Sequence, residues 1–176
     1  MSELKIKVIG EPTIFGNLEY LESHRFINGL PFPNSYKKFV REYGYGLLLG
    51  QFHIYIPMDS YGDSWNVKSN SIKATYYTDL ETNDIWFELK PDASIEIAKN
   101  LVPFGSSDNG YYVFWDIESF LEGEYDIYIT DFRGTGFRKI GKTLEEVIRK
   151  FVTNIDFLPF LTARSPNIFQ CYTSLK

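Results

Sequence analysis

The sequence predicts a single α+β domain. Segments with the period-two alternation of strands are interspersed with segments of helical periodicity, as this class requires. The 176 residues suit one hydrophobic core, and a hydrophobic content of 44%, with 18% aromatic residues overall, is enough to fill it. Because no internal repeat, low-complexity stretch or linker divides the chain, we predict one domain over residues 1–176.

The N-terminal segment predicts a strand followed by a helix. Leu4, Ile6 and Val8 alternate with lysines, as in a short amphipathic strand. Asn17 stands where a helix N-cap is expected, and apolar residues at 18, 21, 26 and 27 indicate a helix that ends near Gly29.

The clearest helix follows a proline-containing break at residues 30–33. Its apolar positions have the spacing i, i+3, i+4, i+7 and are Tyr36, Phe39, Val40 and Tyr43. Gly44 and Gly46 are expected to end it. Beyond it, residues 47–57 are typical of one or two buried strands, and residues 67–80 are moderately helical.

The second half predicts several strands and a closing helix. We expect a short helix over 93–101 and strands over 102–105, 111–115, 125–132 and 137–140. Thr143 with Glu146 three residues later is a capping box, and the apolar positions behind it indicate a helix through Val152. The tail from Phe157 contains two prolines and is predicted to pack as extended chain.

Charge and cysteine usage restrict the function. With 18 Lys+Arg against 23 Asp+Glu, the net charge is -5, which argues against non-specific nucleic-acid binding because that requires a positive surface. Cys171 is the only cysteine, so a reducing compartment is expected. Neither a signal peptide nor a stretch of 18 apolar residues is recognisable, so we expect a cytoplasmic protein without a membrane segment.

One literal motif match has a structural explanation. Residues 136–143 fit G-x-x-x-x-G-K-[ST], in which Lys142 would bind phosphates and Thr143 a magnesium ion. A P-loop enzyme needs further parallel strands, yet only 33 residues follow Thr143. We therefore interpret the match as a hairpin that runs into a capped helix.

The chain offers few groups for catalysis or metal binding. His24 and His53 are the only histidines, and neither has the spacing of a zinc ligand set. A dyad between Cys171 and either histidine is left open by the sequence, although a single cysteine in an apolar tail is usually a small hydrophobic residue. We predict no catalytic residues, no metal and no cofactor.

The most informative charged segment lies between Asn100 and Phe132. It contains no Lys or Arg but seven acids, which are Asp108, Asp116, Glu118, Glu122, Glu124, Asp126 and Asp131. Three interpretations stay open: a solvated loop between two strands, a general acid and base pair of the glycosidase type, and a negative surface that attracts a basic partner. Tyrosines flank the acids, as at many interfaces.

Three segments in order resemble the SUKH superfamily, which contains the yeast Smi/Knr cell-wall regulators and many bacterial immunity proteins. The first is Leu30-Pro31, a spacer, Ser35-Tyr36-Lys37-Lys38-Phe39-Val40 and a stop at Gly44-Tyr45-Gly46. The others are residues 101–110 and 140–151, so the resemblance spans residues 17–153. The spacer has three residues where two are usual, and Tyr111 stands where the family often has Asp, so no role of that Asp is carried over.

The resemblance implies a central, largely antiparallel sheet flanked by helices. It also implies a non-catalytic immunity protein, monomeric or a weak homo-oligomer, that neutralises a cognate toxin, often a basic nuclease. The alternative is a regulatory scaffold of the Smi/Knr type, and an enzyme ranks third. The expected partner-binding residues are Asp108, Asp116, Glu118, Glu122, Glu124 and Asp126.

Overall fold

The computed structural model describes residues 5–153, 160–161 and 167–175, in which six helices and eight strands are found. The helices are α1 (Leu18–Ser23), α2 (Asn34–Tyr43), α3 (Trp65–Ala74), α4 (Tyr77–Glu81), α5 (Ile95–Asn100) and α6 (Leu144–Thr153). The strands are β1 (Lys7–Ile9), β2 (Gly46–Leu48), β3 (Phe52–Ile54), β4 (Leu101–Ser107), β5 (Tyr112–Leu121), β6 (Glu124–Thr130), β7 (Arg138–Gly141) and β8 (Ile168–Cys171). Among the described residues, none of these helices is long and apolar enough to cross a bilayer.

All eight strands form one sheet in the order β1-β8-β2-β3-β4-β5-β6-β7. Only the outer pair β1 and β8 is parallel, so the predicted α+β fold with a largely antiparallel sheet is confirmed. The tail contributes β8 as extended chain, which agrees with the sequence; its prolines lie outside the described residues. The predicted N-terminal strand begins only at Lys7, and Leu4 also lies outside the described residues.

Both faces of the sheet carry packed aromatic side chains. Successive strand residues point to opposite faces, and Trp115 stacks on Phe104 at 4.2 Å and meets Tyr36 of α2 at 4.8 Å between ring centroids. On the other face, Phe114 meets Tyr76, between α3 and α4, at 5.9 Å. The sheet is therefore the middle layer of the core.

The helix predicted over residues 17–29 is shorter than expected. Asn17 does cap α1, since its Oδ1 accepts the N–H of Tyr20 at 2.9 Å, but the helix ends at Ser23. Phe26 is then buried from a loop, whereas Ile27 is fully exposed. These two positions lie five and six residues beyond the buried Leu21, so a longer helix would not place them on the same face as Leu21. The loop allows Phe26 to be buried.

The remaining helical and strand predictions are confirmed with small changes of boundary. Residues 47–57 contain two strands, and the stretch 67–80 divides into α3 and α4. The larger difference is β5, which continues to Leu121 and pairs with β6. The interpretation of the acidic segment as a solvated loop is therefore wrong, because its acids from residue 116 to 126 belong to a β-hairpin.

Candidate functional site

The β5–β6 hairpin has an irregular but well-fixed end. Asp116 pairs with Asp126 and Leu121 with Glu124, so five steps in β5 match two in β6 and the extra residues form a bulge. The Ser119 hydroxyl fills the gap: it donates to the Asp116 carbonyl and accepts the N–H of Asp126, both at 2.7 Å. The hairpin closes on a two-residue turn at 122–123, where both residues have a positive φ.

Two of the predicted acids are held inside the structure. Asp116 is only 8% exposed, its Oδ1 accepts the N–H of Glu118 at 3.1 Å, and burial raises its pKa above the usual value. Asp126, directly across the strand pair, lies 2.8 Å from the Lys139 ammonium and 3.6 Å from that of Lys142. Both carboxylates therefore contact their own chain more than solvent.

Glu124 connects three elements. Its Oε1 accepts the N–H of Ser35 at 2.8 Å and its Oε2 accepts the Ser35 hydroxyl at 2.7 Å. The same hydroxyl oxygen accepts the N–H of Leu144 at 3.0 Å, so β6 is tied to the first turns of α2 and α6. Burial raises the Glu124 pKa, and the hydrogen bonds from Ser35 partly oppose that effect.

The exposed acids of the hairpin are Glu118 and Glu122, and they stand among exposed apolar side chains. We call this surface the hairpin tip; it comprises Glu118, Phe120, Leu121, Glu122 and, from the preceding loop, Ile27. Leu121 is 56% and Phe120 37% exposed, and Ile27 is fully exposed. The Asn28 side chain donates to the Ile117 carbonyl at 2.7 Å and fixes that loop beside the hairpin. Sequence reasoning missed all three apolar members.

Asp108 does not join the other acids. It lies in the β4–β5 turn, before the start of β5, whereas Glu122 follows its end. Because of the bulge, the two ends of β5 are separated by the six steps of β6 from Glu124 to Thr130, which is roughly 20 Å at about 3.3 Å per residue. Its partner is His53, whose Nε2 lies 2.8 Å from Asp108 Oδ1.

The P-loop-like residues form a helix cap. Thr143 Oγ1 accepts the N–H of Glu146 at 3.0 Å, as the capping box predicts, and the Glu146 carboxylate accepts the N–H of Lys142 at 2.9 Å. A carboxylate thus occupies the helix N-terminus where a P-loop would hold phosphate. The preceding strand β7 is also the antiparallel edge of the sheet, which agrees with the interpretation as hairpin and cap.

The environment of Cys171 disfavours an activated thiolate. Cys171 is buried and burial raises its thiol pKa, the opposite of what a reactive thiolate needs. His24 stacks on Phe32 and on Tyr20, with ring centroids 4.7 and 5.1 Å away. Within the described part of the chain, no three His, Cys, Asp or Glu side chains are grouped for a metal ion.

Comparison with known proteins gives one match. The family model SUKH_6, described as SMI1-KNR4 cell-wall, matches residues 27–148. This range begins in the loop that carries Ile27, contains the whole β5–β6 hairpin and ends within α6. No match was found among curated proteins or among solved structures.

Proposed function

The chain belongs to the SMI1-KNR4 family of the SUKH superfamily, and on that premise we propose that it is a non-catalytic immunity protein. In the cytoplasm it would bind a cognate toxin, a basic nuclease or a toxin with a similarly basic surface, and neutralise it by occupying that surface. The observation that carries this proposal is the hairpin tip, where the carboxylates of Glu118 and Glu122 are exposed together with apolar side chains.

The composition of the hairpin tip suits a protein interface. A few well-packed side chains near the centre of an interface carry most of the binding free energy, and charges around them select the partner and raise the association rate. Here Leu121 and Ile27 supply apolar area, and Glu118 and Glu122 supply negative charge. A net charge of -5 adds long-range attraction for a basic partner.

The hairpin tip is also held in place before binding. Asn34 donates its N–H to the Gly123 carbonyl at 2.9 Å, which fastens the turn to the start of α2. Phe120 packs on Tyr125 at 5.2 Å, and the Tyr125 hydroxyl donates to the Pro31 carbonyl at 2.6 Å. A surface that is ordered in the free protein loses little conformational entropy on binding.

A regulatory scaffold is the second candidate, because the description of the matching family refers to the cell wall. The two functions differ in the number of partners. An immunity protein binds one toxin tightly and in a 1:1 ratio, whereas a scaffold binds several proteins weakly.

The test is a pull-down with the tagged full chain from a lysate of the source organism at low and high salt. We expect one basic, stoichiometric partner that salt releases, and co-expression of this chain should suppress the toxicity of that partner. A double variant, Glu118→Gln with Glu122→Gln, should lose at least about tenfold in affinity. The matched control, Glu81→Gln with Asp84→Asn, changes charge equally at exposed positions on α4 and the turn after it.

Three outcomes would contradict the proposal or the interface assigned in it. Several weak partners, with no single stoichiometric one, would favour the scaffold. A stoichiometric partner whose toxicity is unaffected by this chain would exclude immunity against that partner. Equal loss of binding in the tip and control variants would remove the hairpin tip from the interface and leave a general charge effect.

A further inference from the structure

A concave surface lies near the β4–β5 turn, at the other end of β5 from the hairpin tip. This cleft has a volume of about 450 Å³ and is lined by side chains from the residue before β2, from β3, from β8 and the residues after it, and from the loop before α3. The lining residues used below are Tyr45, Tyr61, Tyr172, His53 and Asp63. We call it the tyrosine cleft.

The aromatic walls of the tyrosine cleft are set at steep angles to one another. The Tyr45 ring lies 4.9 Å from the Tyr172 ring and 6.2 Å from the Tyr61 ring, with interplanar angles of 67° and 88°. Ring faces therefore border the cavity from more than one direction. Such faces attract cations, because the π-system of an aromatic ring is negative above its plane.

Two carboxylates add negative charge to the tyrosine cleft. The Tyr45 hydroxyl donates to Asp63 Oδ2 at 2.8 Å, and His53 contacts Asp108 at 2.8 Å while that carboxylate stays 61% exposed. Burial raises the pKa of Tyr172, and the negative charges of Asp108 and Asp63 raise it further. Both carboxylates thus act on the same phenol, so their charges combine at this cleft.

The ammonium group of Lys68 already contacts one of these carboxylates and a nearby tyrosine ring. The Lys68 ammonium lies 3.6 Å from Asp63 Oδ1 and 5.8 Å from the centre of the Tyr55 ring. In the described part of the chain it forms an ion pair with Asp63 and none with Asp108. Among the described residues, only His53 forms a hydrogen bond with the Asp108 side chain.

We propose that the tyrosine cleft binds the guanidinium group of an arginine side chain presented by another protein. The planar guanidinium stacks on a tyrosine ring and still donates hydrogen bonds in its plane to a carboxylate such as Asp108. A volume of about 450 Å³ is within the usual range of ligand clefts. The proposal concerns a separate surface and does not depend on what the hairpin tip binds.

The experiment is an NMR titration of the full chain with three short capped peptides. One contains a single arginine, the second has citrulline, its uncharged isostere, and the third has lysine. We expect the arginine peptide to shift the ring signals of Tyr45, Tyr61 and Tyr172, the lysine peptide to bind more weakly, and the citrulline peptide to cause no shift.

Variants separate the tyrosine cleft from other acidic surfaces. Asp108→Asn should lower the affinity for the arginine peptide about tenfold. Asp63→Asn serves as a second variant in the same measurement. The double variant Glu118→Gln with Glu122→Gln should bind the peptide like the wild type, whatever its effect on a protein partner. Equal binding of citrulline and arginine, or unchanged affinity in Asp108→Asn, would overturn the proposal.

Discussion

Glu124 lies in the acidic segment, yet its contacts give it a structural function. Replacing it by alanine removes the acceptors of the Ser35 N–H and the Ser35 hydroxyl, at 2.8 and 2.7 Å. The Ser35 oxygen that accepts the Leu144 N–H at 3.0 Å then loses the contact that orients it. The starts of α2 and α6 are weakened together.

The expected loss follows from these two hydrogen bonds. Hydrogen bonds to a charged group contribute about 1.5–3 kcal/mol each, but ionised Glu124 is half-buried, and the cost of desolvation offsets part of that sum. We therefore expect Glu124→Ala to lower the free energy of unfolding by about 2–3 kcal/mol. Glutamine keeps an oxygen for the Ser35 N–H and avoids burying a charge, so Glu124→Gln should cost about 1 kcal/mol or less.

Urea unfolding followed by tryptophan fluorescence measures this loss. In a domain of this size about 1 kcal/mol corresponds to 2–4 °C, so a thermal melt of Glu124→Ala should show a melting temperature lower by about 4–12 °C. Glu118→Ala is the control, because that side chain is exposed on the same hairpin. The midpoint of urea unfolding should be the same in Glu118→Ala as in the wild type. If Glu124→Ala and Glu118→Ala unfold alike while only Glu124→Ala loses partner binding, Glu124 belongs to the interface and our reasoning is wrong.

Three further predictions concern stability. Burial and the charge of Arg25 lower the His24 pKa, so folding favours the neutral ring, and the free energy of unfolding should decrease as the pH falls from 7 to 5. His24→Gln should lose less stability over that pH range. Equal slopes of stability against pH in the two proteins would contradict the assignment to His24. Asp116→Asn should stabilise the fold at pH 7 by about 0.2–1 kcal/mol, since it removes one of two opposed carboxylates; a loss in urea unfolding would refute this. Gly136→Ala should destabilise strongly in thermal melts, because φ is +71° and a Cβ would lie 1.7 Å from the Lys90 carbonyl oxygen, whereas Gly134→Ala meets nothing within 4 Å and should melt like the wild type.

The sequence predicts most reliably the elements whose apolar period matches their burial. In α2, three of the four predicted positions, Tyr36, Phe39 and Val40, are buried and Tyr43 is half-buried. In α6, four of the five apolar positions from Leu144 to Val152 are buried. The end of α1 was missed because periodicity cannot separate Phe26, buried from a loop, from a residue buried on a helix. That distinction depends on tertiary contacts, such as the Asn28 bond to the Ile117 carbonyl.

The acidic segment shows a second limit of sequence reasoning. Its acids differ in exposure. Asp116 is buried because the two-residue period of a strand places it on the same covered face as Phe114. That rule applies only once β5 is known to continue past Trp115, and residues 118–122 contain little that favours a strand. The bulge then interrupts the alternation of side chains between the two faces of the strand. The face on which Phe120 and Leu121 lie therefore follows from the Ser119 contacts and not from alternation.

These differences determine how the proposed interface must be tested. Neutralising every acid from Asp116 to Asp126 together would weaken the Glu124 bonds to Ser35 and remove the charged partner of Lys139 as well as the exposed charges. Lost binding in such a variant would follow from weakened folding as readily as from a changed surface. Only Glu118 and Glu122 alter the surface charge while leaving those contacts intact, so an effect of these two substitutions on partner binding is evidence about recognition itself.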